Sequence, residues 1–400
     1  MEFSFKKLKY IHFSDVIDFF KILLSFFPGM VLRLYKKDIW LISERKNDAH
    51  DNGYWLFKYI RENYPEKNAY YSISFKSNDY KNKIKPLGNA IPHGTFKHHI
   101  YFWAAKKYIS AHVGDGYPAS FMCRLFIMHG FYFFKIAFIQ HGVIYSVPEY
   151  LLREKNRFDL FIVTNQKERN LIINDLHYPS DMVKCTGICR HDNLFSTKPI
   201  KNRILVMPTW RGWLYPKYNE KLNDTIKNLM ESDYFKCYTA LLNDKRLLDF
   251  ADKQGLEIVY FPHNQMQPYL KQFKEACPNV ICADASEYDV QQALIDAQFL
   301  VTDYSSIFID FAYMKKPMTY FQFDIEEFYV KHKDTKGYFD FSTDGFGRIS
   351  KTVDQVVDEI IKSYNSGFEM EEVFKKRVDE FFEYRDTDNT KRNYDEIVKM

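Results

Sequence analysis

Short apolar runs alternate with helical stretches along most of this chain, in two successive series. That alternation constrains the fold more than any other feature. The first series is "IWLIS" (Ile39–Ser43), "AYYSIS" (Ala69–Ser74), "KYISA" (Lys107–Ala111), "IAFIQ" (Ile136–Gln140), "LFIVT" (Leu160–Thr164) and "VKCTG" (Val183–Gly187). Patterns of helical period, such as "GYWLFKYIREN" and "QKERNLIINDL", lie between several of them. Strands separated by helices build βαβ units and a mostly parallel sheet. "TKPIKN" (Thr197–Asn202) then reads as a linker, and the alternation restarts. The second series is "RILVMP" (Arg203–Pro208), "EIVYFP" (Glu257–Pro262), "NVICA" (Asn279–Ala283), "FLVTD" (Phe299–Asp303) and "PMTYF" (Pro317–Phe321). From about Thr352 the pattern is helical.

Two series in 400 residues suit two α/β domains of about 150–200 residues each. The expected organisation is amphipathic helices over 1–37, a Rossmann-like domain over 38–198, a second over 199–375, and a C-terminal helix over 376–400. With 46% hydrophobic and 27% charged residues the chain is globular, not disordered. Its 56 basic and 52 acidic residues are too evenly balanced to argue for nucleic acid. None of the six cysteines forms a CxxC pair, so a zinc site is not expected and no residue is assigned to a metal; their scatter suits a reducing compartment. No signal peptide is evident at the N-terminus. Val16–Lys37 is apolar but interrupted by Asp18, Lys21 and Pro28-Gly29, which falls short of a spanning helix. Two short amphipathic helices at a membrane surface, with Arg33, Lys36 and Lys37 beside them, are the preferred reading. A pair of ordinary packed helices has the same pattern.

In open parallel sheets, ligands bind beyond the carboxyl ends of the strands, here in a cleft between the two domains. The residues after each strand are therefore the ones to inspect. His141-Gly142 follows "IAFIQ"; a histidine there suits a general base toward a hydroxyl, or is a structural residue in a turn. Thr209-Trp210-Arg211-Gly212-Trp213 follows "RILVMP", and arginine with threonine suits phosphate. The same residues also make a turn covered by tryptophans. Pro262-His263-Asn264 follows "EIVYF", where the histidine is a phosphate donor or an exposed cap. Thr302-Asp303-Tyr304-Ser305-Ser306 follows "FLV". Thr302 or Asp303 can cap the next helix, leaving Ser305, Ser306 and the first-turn amides for an anion. No Walker loop, GxGxxG or clear DxD element is present; "DTD" (Asp386–Asp388) lies far from any strand exit. NTP hydrolysis and dinucleotide redox chemistry are poorly supported.

Taken in order, "QHG" (Gln140–Gly142), "PTWR" (Pro208–Arg211), "PHN" (Pro262–Asn264) and "VTDYSSIFIDFAYMKKPMTYF" (Val301–Phe321) resemble the CDP-glycerol glycerophosphotransferase family. "GYFDF" (Gly337–Phe341) and "GICRHDNL" (Gly187–Leu194) extend the likeness over about 100–345. The sequence departs from the family pattern in "HGVIYS", where many members read HGTP-Leu-Lys, and in His263-Asn264, where many read His-Pro. The resemblance implies a GT-B fold and a CDP-linked polyol phosphate donor, CDP-glycerol or CDP-ribitol. An acceptor hydroxyl would attack the β-phosphate and CMP would leave. It implies that His141 is the base and that His263 contacts the diphosphate. Ser305 and Ser306 would hold donor phosphates. Thr209 and Arg211 would line the same cleft, and Asp303, grouped with them, would shape the turn. Its members build teichoic acids and related capsule polymers, so the implied partners are a lipid-linked or polymeric glycan acceptor and the inner face of the cell membrane. No cofactor is certain, and metal dependence, polyol, acceptor, number of additions and oligomeric state stay open. The alternative is a GT-B glycosyltransferase using a nucleotide sugar.

Overall fold

The fold is that of a computed structural model, which describes residues 13–195, 201–214, 222–331 and 337–400. Two compact units divide the chain. One takes the residues up to His141, Tyr150–Asp192 and Asp386–Met400; the other takes Gly142–Glu149 and Asn193–Arg385.

The first unit is built on a seven-stranded parallel sheet. Its strands are β1 (Trp40–Ser43), β2 (Ala69–Ile73), β3 (Ala90–Pro92), β4 (Lys107–Ser110), β5 (Lys135–Phe138), β6 (Leu160–Val163) and β7 (Val183–Cys185), in the order β3-β2-β1-β4-β5-β6-β7. Every residue of β1, β2, β4 and β6 is buried. Helices cover both faces of such a sheet, so its strands carry apolar side chains on both sides and read as unbroken runs. The second unit has β8 (Arg203–Val206), β9 (Glu257–Tyr260), β10 (Ile281–Cys282), β11 (Phe299–Thr302), β12 (Met318–Phe321) and β13 (Arg348–Ser350), ordered β10-β9-β8-β11-β12-β13 and all parallel. All eleven strand candidates are present. Strands β3 and β13 are additional: each is three residues long and lies at a sheet edge.

The chain order reverses between β1 and β4 in the first sheet and between β8 and β11 in the second. At such a switch point the connections leave to opposite faces and open a crevice at the carboxyl ends.

The division of the chain differs from the one read in the sequence. Gly142–Glu149 groups with the second unit, where the Tyr145 hydroxyl donates to the Tyr304 carbonyl and its ring meets Phe308 and Phe339. The end of the chain is two helices, Glu372–Phe381 and Asn389–Lys399. The second returns to the first unit: Asp192 accepts from the N–H groups of Asn389 and Thr390, Tyr394 stacks on Tyr64 at 4.4 Å, and Lys107 Nζ donates to the Ile397 carbonyl at 2.6 Å.

The expected pair of short N-terminal helices is one helix, Phe13–Tyr35, continuous through Pro28. Tertiary packing overrides the local break. Ile22, Ser25 and Gly29 form its buried stripe against the helix Phe96–Ala104, and Trp103 Nε1 donates to the Ile22 carbonyl. A Cβ on Gly29 would come within 2.5 Å of Trp103 Cβ, so only glycine permits this approach. The large apolar residues point the other way. Phe20, Leu24 and Phe27 are 57%, 69% and 76% exposed, the reverse of an ordinary surface helix. Residues 1–12 lie outside the described residues. Among the described residues no helix is long and apolar enough to cross a membrane.

Candidate active site

In the first unit the site is assembled from the carboxyl ends of three adjacent strands, β1, β4 and β5. After β5 the backbone turns sharply at Gln140, whose φ of +59° lies in the left-handed region that non-glycine residues seldom occupy. Gln140 is fully buried and tied down: Nε2 donates to the Ile162 carbonyl and Glu168, and its own carbonyl accepts from Asn52 Nδ2 at 2.8 Å. That turn delivers His141 with its side chain 58% exposed.

Nδ1 of His141 meets Asp51 Oδ2 in a very short contact. Asp51 ends the loop after β1 and caps the helix Asn52–Asn63, accepting from Asn52 N at 2.8 Å. Its side chain is buried, and Arg190 Nη1 holds the other oxygen at 2.7 Å. Burial works against the charge, but His141, Arg190 and His112 hold the Asp51 carboxyl far below the usual carboxylate range. An ionised carboxylate only accepts, so Nδ1 carries the proton and Nε2 presents a lone pair outward. The loop before Asp51 is fixed by Glu44, which accepts from the N–H groups of His50, Asp51 and Tyr54. Burial, reinforced by Asp51, raises Glu44 to about 7. Asn52 adds a further brace, since its Oδ1 accepts from Arg190 N at 2.9 Å.

His112 follows β4. It is buried, and its ring lies 4.5 Å from that of His141, centroid to centroid. Burial first, and then the neighbouring His141, push it well below the usual histidine range, so it is neutral. Neither Asp51 nor His112 was among the residues singled out from the sequence. His112 could have been found, since it directly follows "KYISA". Asp51 could not be found that way, because it lies eight positions beyond the end of β1.

In the second unit the residues after β8, β9 and β11, again adjacent strands, divide into two groups. Arg211 and Asp303 are fully buried. Arg211 makes a two-pronged ion pair with Asp324 at 2.7 and 3.1 Å, donates to the Thr209 carbonyl, and lies 2.9 Å from Asp303. Tyr234, Tyr304 and Phe328 pack around its guanidinium. Asp303 accepts from Thr209 N, Tyr304 N and the Tyr238 hydroxyl. Arg211 therefore does not line an open cleft, as expected from its residue type. It and Asp303 form a dry brace tying the exit of β8 to that of β11. Nor does Asp303 or Thr302 cap the following helix. Its N-cap is Ser306, without a side-chain bond, while Thr302 Oγ1 donates to the Met207 carbonyl.

The other group faces outward or is unsatisfied. Thr209 Oγ1 is buried with no hydrogen-bond partner. Ser305 and Ser306 are half-buried at the turn the brace shapes. His263 is exposed, its ring nearly parallel to Trp210 at 6.2 Å, and its Nδ1 accepts from Gln265 N at 3.2 Å. Acceptance at Nδ1 leaves the proton of the neutral ring on Nε2, as a donor. "DTD" is structural: Asp386 pairs with Arg392 beside the last helix.

The chain as a whole is similar to several known proteins. A protein of Bacillus subtilis described as minor teichoic acid biosynthesis protein GgaB is 32% identical over 376 residues, covering 91% of this chain and 40% of that one. A teichoic acid poly(glycerol phosphate) polymerase of Bacillus spizizenii is 26% identical over 265 residues, 62% of this chain and 61% of that one. The chain thus spans less than two thirds of these relatives. Among solved structures, the wall teichoic acid polymerase TagF matches with a TM-score of 0.66 at 16% identity, over 99% of this chain and 97% of that one. The match bears out the GT-B-type fold of two Rossmann-like units. The family model for CDP-glycerol:poly(glycerophosphate) glycerophosphotransferase matches residues 25–399. The chain belongs to that glycerophosphotransferase family.

Proposed function

We propose that this chain transfers glycerol phosphate or ribitol phosphate from a CDP-linked donor to a hydroxyl of a glycan or growing teichoic-acid-type polymer. The observation that carries this reading is the Asp51–His141 pair, a histidine with its outward nitrogen free to take a proton. His141 Nε2 removes the acceptor's hydroxyl proton, and Asp51 stabilises the imidazolium that forms. The acceptor oxygen bonds to the β-phosphorus, the bond to the bridging oxygen breaks, and CMP leaves. Fixed donors supply most of the stabilisation in such transfers. Here these are His263 Nε2–H, the Thr209 hydroxyl, and the hydroxyls of Ser305 and Ser306. Arg211 and Asp303 act on the donor only through the shape of the turn. The relatives' descriptions as glycerol- and ribitol-phosphate polymerases and a TagF variant structure soaked with CDPG agree with this donor class.

The helix Phe13–Tyr35 supports a place at the cytoplasmic face of the membrane, beside a lipid-linked acceptor. Its outward Phe20, Leu24 and Phe27 are joined by exposed Phe131 and Phe133, with Arg33 donating to the carbonyls of Ala105 and Phe133. An apolar face of this kind lies in the boundary between headgroups and acyl chains.

The test is nucleotide release with CDP-glycerol, CDP-ribitol, UDP-sugars and CMP-sugars, each with and without a polymer or lipid-linked acceptor. Acceptor-dependent CMP release from a CDP-polyol is expected, and His141→Ala should abolish it. Release from a sugar nucleotide alone would overturn the proposal in favour of a glycosyltransferase.

A further inference from the structure

A carboxylate oxygen of Asp51 and one ring nitrogen each of His112 and His141 lie within 4.8 Å of one another. Only two of the three are engaged. Asp51 Oδ2 holds His141 Nδ1, while His112 Nε2 stands 3.9 Å from the same residue's Oδ2, beyond hydrogen-bond range. Neither nitrogen of His112 has a hydrogen-bond partner, although the residue is only 9% exposed. His98 and His99 also lack a partner at Nε2, but each bonds through Nδ1. A buried imidazole with both nitrogens unsatisfied is costly and calls for a reason. The backbone holds the ring where it is: Ser110 Oγ donates to the His112 carbonyl and accepts from its N–H.

We infer that Asp51, His112 and His141 bind a divalent transition ion of the zinc class, and that this ion switches off His141 as a base. Two imidazoles and a carboxylate suit zinc or its neighbours; magnesium prefers an all-oxygen shell. At metal–nitrogen distances of about 2.0–2.1 Å, tetrahedral ligand atoms sit about 3.3 Å apart, so the 3.9 Å contact closes and the very short His141–Asp51 contact opens, the ion replacing the Nδ1 proton between them. Asp51 Oδ1 is already fixed by Arg190 and the Asn52 N–H, leaving Oδ2 toward the two rings. That is how outer partners orient a metal-binding carboxylate. His141, more than half exposed, leaves an open side for entry. Arg190, with Arg45 and His50 farther off, opposes a cation, so the site is a reversible one and not a structural centre.

The consequence rests on the proposed role of His141. Without metal, Nδ1 carries the ring proton and Nε2 the lone pair. An ion on Nδ1 takes that position, and the one ring proton then resides on Nε2. The ring gains and loses no proton overall, but its outward nitrogen becomes a donor and cannot accept from a hydroxyl.

The test uses the untagged chain, stripped with a chelator and titrated with Co²⁺ under visible ligand-field absorption, then with Zn²⁺ as competitor. One saturable equivalent displaced by Zn²⁺ but not by Mg²⁺ is expected. His112→Asn should weaken binding by about tenfold or more. X-ray absorption on the zinc-loaded native chain should show two imidazole ligands, which requires no variant. In the transfer assay Zn²⁺ should inhibit, a chelator should restore activity, and the inhibitory concentration should rise in His112→Asn by the same factor. Absence of saturable binding, or binding unchanged in a folded His112→Asn, would overturn the site. His112-dependent binding with undiminished transfer would overturn the switch and the assignment of His141 as base, while leaving the metal site in place.

Discussion

Asp51→Asn is the sharpest perturbation of the site, because it removes a charge and little else. Asparagine has nearly the same volume and is an equally good N-cap, so the helix Asn52–Asn63 keeps its start. What disappears is the anion beside His141. Two unit charges about 4 Å apart interact by ~4 kcal/mol at an effective dielectric constant of about 20. Arg190, 2.7 Å from the other carboxylate oxygen, already offsets part of Asp51's field, which brings the net loss to about 2–4 kcal/mol. In a transition state that carries an imidazolium, this corresponds to a fall in kcat of roughly 30- to 1000-fold. The upper part of that range overlaps the usual contribution of a positioned general base, about 10²–10⁴-fold. The KM for the CDP-linked donor should be unchanged, because the proposed donor residues are others.

The assay is CMP release at saturating acceptor across pH 6–8, with urea unfolding alongside. Unfolding measured at each pH separates lost stability from lost catalysis. Asp51 has a folded pKa far below its unfolded value, so its contribution to stability is fully present above about pH 4 and is lost only as pH falls through the depressed value. Glu44, which burial and Asp51 raise to about 7, titrates inside the assay range, so the stability change is measured at each pH and the kinetic profile is read only where the variant is folded. A folded variant that keeps more than a third of kcat, or loses only KM, refutes the dyad.

Three further outcomes follow from the geometry. Arg211→Lys should cost about 3–5 kcal/mol in urea unfolding, because lysine cannot span Asp324 and Asp303 as the guanidinium does. An unchanged unfolding midpoint with a raised donor KM would make Arg211 a donor ligand after all. His50, although its burial works the other way, is raised to about 9 by its bond to Asp79 and by Glu44. The stability it contributes is present below about pH 6.5 and lost as pH rises through 9; being partly solvent-screened it is worth about 1 kcal/mol, and His50→Gln should flatten that limb in unfolding measured from pH 6 to 10. Replacing Leu24 and Phe27 together by Glu should abolish flotation with anionic vesicles and leave thermal unfolding nearly unchanged, since both side chains are outward; retained flotation would remove the helix from the membrane.

The strands were legible because both faces of each parallel sheet are covered, which turns them into continuous apolar runs such as "LFIV" and "RILV". Edge strands β3 and β13 were not: "AIP" and "RIS" each hold a single large apolar residue, beside a proline in one and between arginine and serine in the other. Pro28 suggested a break that the Gly29–Trp103 contact overrides, a contact between positions too far apart for local pattern to show.

Arg211 was misread for a reason that lies outside local sequence. An arginine just beyond strand β8 has the right chemistry for a phosphate site, but residue type does not say which way a side chain turns. Arg211 turns inward because Asp324, 113 positions later, supplies a buried carboxylate, and because Tyr234, Tyr304 and Phe328 close over the pair. Once that partner is present, the guanidinium is worth more as a brace than as a ligand, since opening the pair would leave two buried carboxylates unbalanced. Asp51 is the mirror case. Nothing in "KNDAHDNGYW" distinguishes it from an ordinary helix cap, and it is one; the same carboxylate also faces His141 because β1 and β5 flank β4 at a switch point. Capping fixes Asp51 in place, and the topology gives that fixed charge a histidine to hold. The proposed chemistry therefore depends on a residue whose local signal is purely structural, while an arginine whose residue type suggested phosphate holds the turn together.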